Sequence, residues 1–321
     1  MFKLRYISII LFFFIFTNAS LASSPLVSSD WLSNRLNDTN IKILDIRNKI
    51  DNGGLEVFLK GHIPGSIHSD YLKDGWRVKR NNVVGLLPLE KQYKDIVESI
   101  GLKNSDHVII VPAGVSSTDF GSAARVYWTL KIYGHENLSI LDGGYADWES
   151  KFPNLIQTSD YSKPIKSNYI TNYNPSYYIS TEEVLEQINQ GKSLLIDART
   201  QIQWRGKEKH PASLKAGRLP RGVLMSQEEN YDRNTNRLKE IKDLKNLYKN
   251  IKNTSIVSYC NTGHWAATNW FVLSELLGKK NVKLYDGSMV EWTNDPNLPV
   301  VTEIKKIDDI KYWIKSVISK I

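Results

Sequence analysis

Short apolar runs, separated by stretches of helical spacing, recur along this chain of 321 residues. The run Ile41-Lys-Ile-Leu-Asp45-Ile-Arg47 is mostly apolar and ends in charge, which predicts a short buried strand. His107-Val-Ile-Ile-Val-Pro112 and Leu138-Ser-Ile-Leu141 predict two more. Ahead of the first strand Ser28-Ser29-Asp30 caps a helix reaching about Leu36, and between the first and second Pro88-Leu89-Glu90 opens one that runs to about Ile100. A third helix covers Gly121 to Tyr133 and stops at Gly134. Gly61-His-Ile-Pro64-Gly65 is punctuated as a turn, with Ser66-Ile67 starting another short strand. Strands alternating with helices predict an α/β fold, a parallel sheet flanked by helices.

The second half repeats this order. Ser180-Thr-Glu-Glu-Val-Leu caps and starts a helix, and Leu194-Leu-Ile-Asp197-Ala-Arg199 resembles the strand ending Asp45-Ile-Arg47. Ala216-Gly-Arg-Leu-Pro220-Arg-Gly222-Val223 resembles the turn at Gly61 to Ile67. A helix near 236–250, a strand up to Tyr259, a helix after it and the strand Val282 to Asp286 follow in turn. Equivalent pieces lie about 150 residues apart, so this is a duplicated domain and not a solenoid. The expected division is an N-terminal segment 1–22, a first domain 23–150, a proline-containing linker 151–176 and a second domain 177–321.

The chain's single cysteine, Cys260, falls between two elements of different period. Ile256, Val257 and Tyr259 end a buried strand, while Ala267, Trp270, Phe271, Leu273, Leu276 and Leu277 recur at helical spacing. Cys260 is therefore placed at a strand end, just before a short loop and a helix. Amides in such a loop have no ladder partners and can converge on an anion, aided by the positive end of the helix. The same field favours thiolate over thiol, and that makes a nucleophile's site. The competing reading is a buried structural cysteine. The first half has Pro112-Ala113 at the equivalent position and no thiol.

Tyr259-Cys260-Asn261-Thr262-Gly263-His264-Trp265-Ala266, closed by Tyr285-Asp286-Gly287-Ser288 and Glu291-Trp292, resembles the catalytic half of a tandem-domain rhodanese-type sulfurtransferase. The resemblance implies two rhodanese-like domains, the first non-catalytic. It also implies sulfane-sulfur transfer through a Cys260 persulfide, from thiosulfate to cyanide or a thiol acceptor. Asn261, Thr262, Gly263, His264, Trp265 and Ala266 would form the loop around the persulfide and the departing anion. Asp197 and Arg199 would tie the framework together. Arg205, with Lys207 in reserve, is the expected cation for the donor, since a planar fork suits sulfonate oxygens; the alternative is an exposed charge run. Many relatives have Arg or Lys inside the loop, whereas Thr262, His264 and Trp265 stand here. That departure keeps open a 3-mercaptopyruvate-type enzyme and a non-catalytic sulfur-binding module. A phosphatase of related architecture would need Arg where Ala266 stands.

Composition narrows the partners. The formal charge is +8, but lysines are interspersed with acids, which favours a small anionic donor over nucleic acid. With one cysteine no internal disulfide is possible and no second thiol can resolve a persulfide, so the acceptor is an external thiophile or an acceptor protein. The six histidines show no metal-ligand spacing, and no metal or other cofactor is expected. Lys3 and Arg5, the apolar run Ile9 to Phe16 and Ser20-Leu21-Ala22 read as a cleaved signal peptide, with a retained anchor as the alternative. Cleavage would leave a periplasmic or secreted protein without a stable membrane span.

Overall fold

A computed structural model describes residues 23–159, 161, 164–251 and 255–303. The signal-peptide expectation, on residues 1–22, lies outside them. In the first half the strands are β1 (Leu26–Val27), β2 (Ile41–Asp45), β3 (Ile67–His68), β4 (Val78–Arg80), β5 (Val83–Leu86), β6 (His107–Val111) and β7 (Leu138–Leu141). The helices are α1 (Ser29–Ser33), α2 (Leu55–Lys60), α3 (Glu90–Ser99), α4 (Ser117–Ile132) and α5 (Gly144–Lys151). Five strands form a wholly parallel sheet in the order β1-β7-β6-β2-β3. Most of their residues are buried, as near-continuous apolar runs require when helices cover both sides. Ser28 caps α1 by accepting from the Trp31 N–H, as its sequence predicts.

The second half supplies α6 (Thr181–Gln190), β8 (Ser193–Asp197), α7 (Gln201–Trp204), β9 (Val223–Leu224), β10 (Tyr231–Asp232), β11 (Arg237–Leu238), α8 (Ile241–Leu247), β12 (Ser255–Tyr259), α9 (His264–Phe271), β13 (Val282–Leu284) and α10 (Ser288–Asn294). Its parallel sheet runs β13-β12-β8-β9. The duplication is visible in the register. Asp45 pairs with Val111 just as Asp197 pairs with Tyr259, so Pro112 and Cys260 emerge at equivalent strand ends.

Two of the expected helices change. The helix read over 236–250 begins only at Ile241, because Arg237–Leu238 pairs antiparallel with Tyr231–Asp232. The helix after Cys260 turns π-helical over Val272–Leu276. The segment read as a linker packs against the first domain: Tyr169 is fully buried on Tyr93 and His135, and the Asn172 N–H donates to the Tyr133 carbonyl.

The halves share a core. Helix α4 packs on α9, its counterpart in the other half, with Phe120 and Tyr127 edge-on to Phe271 at 5.9 and 5.0 Å. A hairpin the hydrophobic pattern did not reveal, β4–β5, leaves the first domain and lies on the second, with Val83 and Leu86 packed on Val290. Arg237 adds an ion-paired clamp, reaching Asp142 at 3.4 Å and also Asp147. No helix among the described residues is long and apolar enough to cross a membrane.

Candidate active site

Strand β12 delivers Cys260 to the carboxyl edge of the sheet, where α/β folds place their reacting groups. Its thiol is free and its side chain nearly buried, yet it lines a cavity of about 230 Å³. The lining holds Asn261, Thr262, His264 and Trp265 of the loop, Gln203 and His210 of the second domain, and Ile50, Arg77 and Thr118 of the first. The site thus lies between the domains.

The loop is held from several directions. The Cys260 N–H donates to Ser288 Oγ at 3.0 Å, and Ser288 donates to the Tyr285 carbonyl at 2.7 Å. The Cys260 and Asn261 carbonyls accept from Met289 and Val290, joining the loop to α10. Gly263 has a φ of 71°, and a Cβ there would stand 2.7 Å from the Asp286 Cα and press on the Arg125 guanidinium, so only glycine fits. None of the N–H groups of Asn261, Thr262 and Gly263 has a protein acceptor among the described residues, which leaves them for an anion.

The equivalent loop of the first domain shows the opposite. There Asp119 turns its carboxylate back under the chain and accepts from the N–H groups of Ala113 (3.0 Å), Gly114 (2.6 Å) and Val115 (3.2 Å). That loop has no thiol, and these three amides are already taken.

Asp197 and Arg199 form a buried hook. The guanidinium grips its own strand's carboxylate at 2.7 Å, donates to the Gly217 carbonyl at 2.8 Å and reaches Asn261 Oδ1 at 3.5 Å. Burial works against the Arg199 charge, but Asp197 outweighs it and its pKa is raised. Asn261 in turn donates to Gln203 Oε1 at 3.0 Å, so the hook, the loop and the cavity wall are one chain of bonds. Asp45 and Arg47 repeat the hook in the first half.

His264 is locked between the domains. Its Nε2 lies 2.8 Å from the Thr118 carbonyl, which can only accept, so Nε2 carries the hydrogen. Nδ1 therefore accepts from the Tyr71 hydroxyl at 2.8 Å. Burial and the neighbouring Arg77 charge push its pKa down to about 3, so the ring is neutral at physiological pH. Both ring nitrogens are engaged, which makes the side chain a holder of the loop and not a donor to an oxyanion. Trp265 is fixed similarly, its Nε1 donating to Thr118 Oγ1 at 3.2 Å. Ala266 is fully buried in the first turn of α9.

The expected cations stand elsewhere. Arg205 pairs with Glu303 at 3.4 Å and does not line the Cys260 cavity, while Lys207 is exposed to solvent. Glu303 lies about a hundred residues later in the chain, so its claim on Arg205 is invisible to local reading. The cation that does line the cavity is Arg77, from the first domain. Neither Arg77 nor His210 carries a motif that sequence reading could have used. A second first-domain cation, Arg125, is fully buried behind Gly263. Its Nη2 donates to the Gly85 carbonyl at 3.0 Å and meets Asp286 at 3.3 Å; burial lowers its pKa against the pull of Asp286. Among the described residues no group of three or more His, Cys, Asp or Glu is placed to hold a metal ion.

Comparison with known proteins agrees with this architecture. The family model described as "Rhodanese-like domain" matches residues 28–151 and again 180–295. A putative thiosulfate sulfurtransferase of Mycobacterium bovis is 30% identical over 288 residues, covering 86% of this chain and 96% of that protein. The sulfur carrier protein TtuD of Thermus thermophilus is 28% identical over 290 residues, covering 86% and 95%. Among solved structures, the Tum1 protein of Saccharomyces cerevisiae superposes with a TM-score of 0.74 at 20% identity, covering 88% of this chain and 99% of the other. Since both halves match and the thiol of the second stands at the strand end that the first leaves empty of chemistry, the chain belongs to the rhodanese-like family and is a tandem two-domain sulfurtransferase.

Proposed function

We propose that the protein moves the sulfane sulfur of thiosulfate to an external acceptor, cyanide in an assay or a thiol in the cell, through a persulfide on Cys260. The Cys260 thiolate attacks the outer sulfur of thiosulfate; the S–S bond of the donor breaks, sulfite leaves with the bonding pair, and a Cys260–S–S⁻ persulfide remains. Cyanide then takes the outer sulfur as thiocyanate and returns the thiolate. Charge and atoms balance in both halves, and no redox partner is needed. Departing sulfite and the terminal persulfide sulfur are both anionic, and the loop amides are suited to both.

The observation that carries this reading is the contrast between the halves. The same loop amides are filled by Asp119 in one domain and left unclaimed beside a free thiol in the other. Several relatives at 29–30% identity are putative thiosulfate sulfurtransferases. Intact mass before and after thiosulfate provides the test: the expected result is a gain of about 32 Da, one sulfur atom, reversed by cyanide. A mass that does not change with thiosulfate would reject it as the donor.

A further inference from the structure

Among the described residues Arg77 is the sole permanent charge on the wall of the Cys260 cavity, and no Asp or Glu of theirs lines it. It lies at the base of the β4–β5 hairpin that the first domain extends over the catalytic loop. A Cβ on Gly85, whose φ is +88°, would meet the Arg77 Nη2 at 2.5 Å on one side and the Thr262 carbonyl oxygen at 2.8 Å on the other. The guanidinium is therefore packed against the hairpin at the point where the hairpin touches the loop.

Its position is set, but its bonding capacity is almost unused. Tyr71 donates its hydroxyl hydrogen to His264, which leaves its lone pairs facing Arg77 Nη1 at 3.4 Å. That is the one hydrogen bond Arg77 makes among the described residues, and no carboxylate among them lies within ion-pair distance. A guanidinium has five N–H donors, so most of its fork remains available. Two neutral donors face the same space. His210 Nδ1 accepts from the Ala212 N–H at 3.1 Å, so Nε2 carries its hydrogen; burial, Arg77 and Lys209 lower its pKa. Gln203 has committed its Oε1 to Asn261 and keeps its NH₂ group.

Resting on the sulfurtransferase reading above, we propose that Arg77 of the first domain, with Gln203 and His210 of the second, binds the oxyanion end of the sulfur donor. The first domain then sets donor specificity, selecting small donors that carry a sulfonate or carboxylate beside the transferable sulfur. The thiol and the loop come from one domain, the charge that orients the donor from the other.

The test uses the full chain. Arg77→Gln is expected to raise KM for thiosulfate about ten- to a hundredfold and to change kcat much less, because the contact holds the donor's remote end before and during transfer. Arg77→Lys should recover part of the loss. A second readout requires no sulfur transfer: Cys260 is alkylated with anionic iodoacetate and with neutral iodoacetamide, and the ratio of the two rates is compared between proteins. Arg77→Gln should lower that ratio about tenfold. An unchanged ratio, or an unchanged KM where thiosulfate does load the wild type, overturns the proposal. If thiosulfate loads neither protein while the ratio still falls, the anion contact stands and the thiosulfate reading alone fails.

Discussion

A Cys260→Ser variant is expected to fold and to transfer no sulfur. The side chain is nearly buried, and serine keeps both its size and a polar group at the cavity wall. The backbone that shapes the loop does not depend on sulfur: the Cys260 amide is fixed by Ser288 and its carbonyl by Met289. Stability should consequently fall by about 1 kcal/mol or less, within the range of mild core substitutions. Serine's hydroxyl is a far weaker nucleophile and cannot store sulfane sulfur, so turnover should drop to background. With one cysteine in the whole chain, no second thiol can rescue it. Thermal melting and a thiosulfate–cyanide assay on the same preparation check both halves of the statement. Substantial transfer by the folded variant would remove the persulfide from the mechanism.

Replacing Arg125 with methionine should be the most damaging change away from the thiol. The guanidinium is buried between the Gly85 carbonyl, the Asp286 carboxylate, the Trp128 ring at 4.7 Å and the Gly263 backbone. Removing it leaves Asp286 buried with the Leu87 N–H, at 2.5 Å, as its remaining close donor. An uncompensated buried charge of this kind costs about 3–5 kcal/mol. Because the lost contacts join the hairpin of one domain to the loop of the other, sulfur transfer should fall with stability. Denaturant melts of Arg125→Met, Asp286→Asn and the double variant separate the terms, and the double should lose clearly less than the sum of the singles. A loss below about 1 kcal/mol for Arg125→Met would show the pair to be incidental.

Much of this was legible in the sequence because it is local. The Asp-x-Arg hook, the strand–loop–helix around Cys260 and the repeat of both across the halves are written in adjacent residues, and their physics acts within a few residues. The hairpin was missed although Asn81-Asn82, both at positive φ, are good turn residues. Its strands are very short, with Lys79 and Arg80 in one and Gly85 in the other, and their apolar side finds its partner, Val290, only across the domain interface. Arg205 is the expected cation because a planar fork suits sulfonate oxygens, yet nothing nearby in the chain reveals that Glu303 claims it. Asp119 carries no local signal: it falls before the helix expected from Gly121 and proves to lie in the first turn of α4. Only folding shows its carboxylate turned back into its own loop.

That carboxylate has an evolutionary consequence. A duplicated domain that loses its nucleophile could in principle regain it by one substitution, since Pro112 occupies the place of Cys260. Here the way back is blocked twice. A thiol at Pro112 would stand beside amides that already hold a resident carboxyl group, tethered where a solute must compete for them. Restoring a second centre would take Pro112→Cys together with Asp119→Ala or a similar change, each of no benefit without the other. Alkylation of the new thiol by iodoacetate should quicken only in the double variant. The silent half is thus held in its silence by its own internal ligand, a ratchet against reversion and not merely the absence of sulfur.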